Sequence, residues 1–371
     1  MTERPSGTRR PHVALRVACA SVVIALVIAA TPVGADTVPA RAERRFKPMT
    51  YNLYLGANLQ PLFGVEDPAE LVRRAGEIFS HVDKVDFHVR AVALAREIID
   101  ADPDAVALQE VSLWQTAPMS NPSNVTTRYD FMQILLDELA RQGHPYLAAV
   151  VNPTFRGALP ISLTTLGMFT DRNAIIVRSD ASELATADPA QGVYEARVRV
   201  KIGSNFIEIP RGWASVDVQV RDRSYTLIDT HLEAFDAAIR EAQVGELVNI
   251  VTASPYPVVL AGDLNVFPEG SRAVDAEEWE MFGSAGLVDS WVEAGESPAF
   301  TAGQSDDLDN VPSSLDNMVD FVLHGEEGYI EAVDRSGHIA GEELDDRTDT
   351  VPPLWPSDHA GVIVTLHIVA A

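Results

Sequence analysis

The sequence is short of cysteine and of basic side chains, and it offers no obvious seam. Its one cysteine is Cys19, inside a segment read below as a leader, so the remainder can form no disulfide and must be held by its core. Lys and Arg number 28 against 54 Asp and Glu, a formal charge of −26. General adhesion to nucleic acid or anionic membranes draws on clustered cations, and this balance opposes it. A phosphate substrate held through a metal ion stays open, as does the plainer reading that acidity keeps an exported protein soluble. No linker rich in Gly, Pro or Ser divides the chain and no repeat recurs, which makes one domain the simplest account. Apolar residues, by contrast, make up 46% of the 371, enough for a substantial core.

Arg4, Arg9, Arg10 and Arg16 precede the apolar stretch Val17 to Ala30, and Val33-Gly34-Ala35 supplies the small residues that a signal peptidase accepts. Residues 1–35 are therefore expected to be a removable secretion signal and 36–46 a disordered lead, placing the protein outside the cell. The apolar run is shorter than the roughly 20 residues of a spanning helix, and retention by an uncleaved signal is the alternative. Thr8-Arg9-Arg10 matches a twin-arginine signal only in part. Arg16 stands where a lipoprotein signal before Cys19 would have an apolar residue.

From Phe46 to Leu55 the pattern is that of a strand. Asp67-Pro68 is a helix start, with Asp as cap and Pro at the first helical position. Helical periodicity follows at about 86–100, 129–142 and 234–252. Further strand-like runs are Ala174 to Val177, Ala214 to Val220, Tyr225 to Ile228, Pro257 to Leu260, Met318 to Leu323 and Gly361 to Ile368. Strands and helices interspersed in this way predict an α/β fold of two packed sheets flanked by helices. Residues 117–124, 152–165, 306–314 and 341–356 read as long loops near the site.

Six short motifs sit where an apolar run gives way to a polar loop, the place where α/β proteins build sites. They are Thr50-Tyr51-Asn52, Leu108-Gln109-Glu110, Arg172-Asn173-Ala174, Asp229-Thr230-His231, Gly262-Asp263-Leu264-Asn265, and Asp320 with Ser357-Asp358-His359. In this order and spacing the chain resembles the endonuclease/exonuclease/phosphatase superfamily, whose members include deoxyribonuclease I, over residues 47–371. The resemblance implies a deoxyribonuclease I-like four-layer sandwich of two mixed sheets and a metal-dependent hydrolase of phosphate esters.

Hydrolysis of a phosphodiester needs an activated water and relief of the charge that gathers on the phosphoryl oxygens. Mg²⁺, with Mn²⁺ or Ca²⁺ as alternatives, prefers oxygen ligands and keeps several waters. Glu110, the amide oxygen of Asn52, and Asp358 are the expected ligands. By resemblance, Asp263 deprotonates the water and Asn265 donates to the phosphoryl group; if strand geometry continues, the two side chains emerge on one side. His359 would stabilise the developing charge, with Asp320 on its other ring nitrogen, and His231 would be a second phosphate ligand or the acid for the leaving group. Ser357-Asp358-His359 is no serine-hydrolase relay, because neighbours on an extended chain point to opposite sides. Asn173 differs among members, and Asp289 reads as a helix cap.

The expected substrate is a phosphate ester: DNA, a phospholipid or a small phosphoester, cleaved by a secreted nuclease-like or sphingomyelinase-like phosphodiesterase. An inositol-phosphate-type phosphatase lacks its lysine- and arginine-rich contacts here, and a silent binding module would be expected to lose some of the motif residues. Trp114, Phe155 and Trp355 fall in candidate loops, where they could enter a membrane or merely cover a core edge. The acidic run Glu342 to Asp349 reads as a solvated charge cluster. No obligate protein partner is evident, and a monomer is expected.

Overall fold

The computed structural model describes residues 45–180, 184–220, 223–268, 275–295, 299–325 and 330–368. The expected secretion signal, Cys19 and most of the expected lead lie outside these residues. Pairing begins at Arg45, within that lead. Strands β1 (Arg45–Phe46) and β2 (Pro48–Asn52) keep one continuous register against β17 (Gly361–Ile368), with Phe46 opposite Leu366 and Thr50 opposite Val362. The other edge of β17 takes β16 (Ile330–Ala340). β2 runs parallel to β3 (Ala105–Gln109). The long β7 (Thr165–Arg178) carries β3 and β4 (Leu113–Pro118) along one edge and β6 (Tyr146–Pro160) along the other, and β5 (Thr126–Asp130) pairs with β4.

The second sheet has the order β14 (Leu287–Asp289), β15 (Asp320–Gly325), β13 (Val258–Asp263), β12 (Arg223–His231), β11 (Gly212–Val220) and β8 (Leu184–Val193). β12 and β13 are parallel, and the other pairs are antiparallel. A separate hairpin, β9 (Val198–Ile202) and β10 (Asn205–Ile209), docks through Gly64 N–H to the Lys201 carbonyl and Gly203 N–H to the Val65 carbonyl, each 2.7 Å.

The period-two rule sorts β3 between two cores. Ala105 and Ala107 face the second sheet with Ile175, while Val106 and Leu108 pack under the helices of the first layer. Those helices are α1 (Pro68–Lys84), α2 (Phe87–Ala101) and α3 (Phe131–Arg141). The outer face of the second sheet is covered by α4 (Ala237–Ala253), α5 (Ala276–Ser284) and α6 (Ser290–Glu293), which bury Val244, Leu247, Phe282 and Trp291. The result is the expected four-layer α/β sandwich. Asp67 caps α1 by accepting from Ala69 N–H at 3.0 Å, with Pro68 behind it. Asp289 caps α6 through Trp291 N–H at 2.9 Å.

One expectation fails for a physical reason. Residues 152–160 are strand, not loop. Pro153, Gly157 and Pro160 make the segment look irregular, but among the described residues it pairs only with β7, and its register slips between Pro153 and Phe155. The aromatics assigned to loops are not free either. Trp114 is 1% exposed in β4 and donates to the Leu55 carbonyl, Phe155 is half-buried in β6, and Trp355 is fully buried and donates to the Asn310 carbonyl. Glu342, Glu343, Asp345 and Asp349 are exposed, as a solvated run should be, whereas Asp346 is half-buried and accepts from Glu343 N–H at 2.8 Å. Among the described residues no helix is long and apolar enough to cross a membrane.

Candidate active site

The ends of β2 and β3 in the first sheet and of β12, β13 and β15 in the second meet at one end of the sandwich. Gln109 ties the two sheets there, its amide donating to Asp229 at 2.7 Å with both residues fully buried. Asp320 stands directly opposite Asp263 in the β13–β15 ladder. His359 enters from the segment before β17, and its Nδ1–H donates to Asp320 Oδ2 at 2.8 Å while Nε2 lies 3.9 Å from Asp263 Oδ2.

Asp263 is the centre of this group. Its Oδ2 accepts from Asn52 Nδ2 at 3.0 Å and lies 3.4 Å from His231 Nε2, and its Oδ1 accepts from Asn265 N–H at 3.2 Å. Burial and the neighbouring Asp320 carboxylate push its pKa up to about 7. The two histidines beside it are driven apart. Burial works against the His359 imidazolium, but Asp320, Asp358 and Asp263 outweigh it and hold the pKa well above the usual histidine value. For His231, burial, Arg211 and the cationic His359 all act to hold the pKa well below that value.

Arg211 also fixes the tautomer of His231. Its Nη1 lies 3.1 Å from His231 Nδ1, and a guanidinium can only donate. Nδ1 is therefore the bare nitrogen, and the ring proton sits on Nε2, aimed at the Asp263 side. His231 is a neutral donor, which fits a phosphate ligand and not a proton-releasing acid.

Three non-glycine residues around the site have left-handed backbone: Tyr54 (φ 56°), Glu110 (φ 54°) and Asn265 (φ 50°). Such conformations are uncommon outside turns and gather at sites where the fold must aim a side chain. Glu110 leaves the line of β3 at this point, and its Oε2 accepts from Leu55 N–H at 2.6 Å. Burial, Asp358 and Asp171 raise its pKa to about 8, and burial raises that of Asp358 as well. Asn265 departs from the expectation that it shares a strand face with Asp263. The strand ends at Asp263, and the Asn265 amide turns to donate to the Leu232 carbonyl at 3.1 Å.

Of the residues read as metal ligands, Asp358 acts electrostatically on Glu110, and Asn52 makes two hydrogen bonds within the site. Its oxygen accepts from Tyr54 N–H at 3.0 Å while its nitrogen holds Asp263. Ser357 is buried and its hydroxyl donates to the Asn52 carbonyl at 2.7 Å, which removes it from any nucleophilic role. Asn173 is buried on β7.

Two arginines of the site escaped the sequence reading. Arg211 stands alone after Pro210, with no motif to mark it. Arg90 did leave a trace, because it shares the i, i+4, i+8 face of α2 with Leu94 and Ile98, and a charge in that stripe has to be buried and paired. It is fully buried, and its guanidinium donates to the carbonyls of Leu53 and Pro356 at 2.8 Å and of Val85 and Tyr54 at 3.1 Å. Arg90 thus clamps the residues just after Asn52 to the residue just before Ser357-Asp358-His359.

With this geometry in hand, the family model of the endonuclease/exonuclease/phosphatase family matches residues 49–359. The chain belongs to that family, and is by membership a hydrolase of phosphate esters. Solved structures share the fold at low identity. An endonuclease/exonuclease/phosphatase family protein from Leptotrichia buccalis is 16% identical, with 87% of this chain and 99% of that one covered at a TM-score of 0.53. One from Beutenbergia cavernae is 20% identical over 89% and 73% of the two chains, with a TM-score of 0.52. D. rerio TDP2, complexed with a single-strand DNA product, is 16% identical over 87% and 99%, with a TM-score of 0.52. No curated protein matches the sequence.

Proposed function

We propose that this family member is a divalent-cation-dependent phosphodiesterase, exported from the cell, in which Asp263 is the general base. The observation that carries the reading is the environment of that carboxylate. It is buried, its pKa stands near 7, and it lies between a cationic imidazole and a neutral one whose proton is on Nε2. A base poised near neutrality accepts a proton from water at working pH, and Asn52 Nδ2 keeps the accepting oxygen in place. His359, kept charged by Asp320, meets the negative charge that develops on the phosphoryl oxygens, and His231 Nε2–H adds a second, uncharged donor. Asn265 still has a hydrogen to offer, since only one of its two amide hydrogens is spent on Leu232.

The donor set at Glu110 and Asp358 fits a hard cation. Burial raises the pKa of both carboxylates and Asp358 raises that of Glu110 further, a cost that a divalent ion joining them would relieve. Such an ion, Mg²⁺ in our reading, supplies Lewis-acid polarisation of the phosphate. Asp263, Asp320 and His359 also bring ligand atoms within 4.8 Å of one another, but the imidazolium already provides positive charge there. Export rests on the basic start and the apolar run of residues 17–30.

The test is hydrolysis of bis(4-nitrophenyl) phosphate by the chain lacking residues 1–35, with Mg²⁺ and with EDTA. Chelator-sensitive turnover that Asp263→Asn abolishes without changing the circular dichroism is the expected result. Unchanged turnover in that variant refutes the role of Asp263.

A further inference from the structure

Next to the carboxylate pair the fold leaves a cavity of about 770 Å³, a volume suited to a whole small ligand. Glu110, Asp171, Arg211 and Asp358 line its polar end. Beyond them the lining turns apolar, with Leu71 and Phe79 from α1, Trp114 and Phe169 from β4 and β7, and Ile202 and Ile207 from the β9–β10 hairpin. The indole N–H of Trp114 is already satisfied by Leu55, so that wall presents no free donor. Phe235, 62% exposed, also lines the cavity. Its charged lining is adverse to a polyanion: five carboxylates, Glu66, Glu110, Asp171, Asp306 and Asp358, against the two guanidiniums of Arg156 and Arg211. A nucleic-acid strand laid here would set phosphates against carboxylates without the cations that such binding draws on.

We propose that this cavity takes the hydrocarbon chain of an amphiphilic phosphoester, with the phosphate at the Glu110 and Asp358 end. The proposal rests on the phosphoester-hydrolase reading and names its substrate class: a phosphate ester bearing an alkyl or acyl chain, in place of DNA. Three observations converge on it. The cavity opens at the Glu110 and Asp358 carboxylates of the site, its walls are apolar where a chain would lie, and its charged groups are mostly of the wrong sign for nucleic acid. The hairpin that closes one side is anchored to the 62–65 segment by backbone hydrogen bonds and by the ion pair of Lys201 with Glu66, so the wall is part of the built structure.

Binding tests this without relying on turnover. Non-hydrolysable alkylphosphonates of two, four, eight and twelve carbons, below their micelle concentrations, are titrated into the protein with Mg²⁺ by calorimetry. Each methylene that enters the cavity is expected to tighten binding by about two- to fourfold until the space is filled. Ala75→Leu, on the buried face of α1 that lines the cavity, is expected to shorten the chain length at which affinity stops rising. If that variant fails to fold, Ile207→Ser on the half-buried hairpin strand is expected to weaken the twelve-carbon ligand several-fold more than the two-carbon one. Phosphatidic acid vesicles distinguish the source of the chain. Affinity for the monomeric phosphonates alone assigns a free amphiphile, and affinity for both assigns a lipid drawn from a bilayer. Affinity that does not change with chain length in the wild-type protein overturns the proposal, whatever the hydrolysis assay shows. Failure to cleave bis(4-nitrophenyl) phosphate, in turn, counts against the hydrolase reading and not against the cavity.

Discussion

Replacing Arg90 by methionine keeps most of the side chain's length and removes every donor. Four buried carbonyls, of Val85, Leu53, Pro356 and Tyr54, then lose their partner at once. At about 1 kcal/mol net for each hydrogen bond the gross loss is about 4 kcal/mol. Part is recovered because a guanidinium is no longer held out of water; burial already pushes the Arg90 pKa down to about 10, and among the described residues it has no carboxylate ion-pair partner. The expected net cost is about 2–4 kcal/mol, a large share of the 5–15 kcal/mol typical of a folded domain. Urea unfolding followed by tryptophan fluorescence measures it. Two of the released carbonyls follow Asn52 and one precedes Ser357, so turnover should also fall under conditions where the variant is still fully folded. Arg90→Lys, with one nitrogen in place of a fork, should lie between the two. A loss below about 0.5 kcal/mol in Arg90→Met, with unchanged turnover, would show that the clamp does not hold the site together.

Three further outcomes are expected. Asp320→Asn removes the main carboxylate that keeps His359 charged, so the His359 pKa falls and the alkaline limb of the kcat/KM profile moves to lower pH; a limb that stays put refutes the pairing. In Arg211→Met the nitrogen shifts of His231 should change from a pure Nε2–H tautomer to a mixture, with its pKa rising as a nearby positive charge is lost; a wild-type spectrum with Nδ1 protonated contradicts the assignment. Glu97, whose pKa burial and Asp346 raise from 4.5 to about 8, is protonated in the fold at neutral pH. Stability from this group therefore falls as pH climbs from about 4.5 to about 8, by at most about 1.4 kcal/mol per pH unit and less where solvent screens the site. Glu97→Gln should flatten that slope in urea midpoints taken at several pH values, and an unchanged slope places the proton elsewhere.

Most of the motifs were legible because they lie at strand ends, where local chemistry changes abruptly from apolar to polar; Arg172-Asn173-Ala174 instead lies inside β7, and chain order suggested the set. The two sheets followed from runs such as Val258 to Leu260 that are buried on both faces. What escaped is what local pattern does not encode. Glu110 and Asn265 owe their aim to a left-handed backbone, which residue type does not announce. The tautomer of His231 depends on Arg211, twenty residues away in sequence. The motif position of Asn52 did not announce that its amide donates to Asp263 and accepts from Tyr54 N–H. Edge strand β6 hid behind its prolines, and the cavity is bounded by segments as distant as α1 and the β9–β10 hairpin.

The placement of β17 has a consequence for biosynthesis. This strand lies between β16 and the first strand of the fold, more than 300 residues away in sequence, and His359 is carried just ahead of it. A growing chain on the ribosome can close its second sheet early, but until residue 368 has emerged the first sheet lacks an inner strand and Asp320 has no histidine to hold. Joining ends so far apart is a slow step in folding. The same arrangement predicts that a chain stopped short of Gly361 has a first sheet without its β17 and shows no turnover.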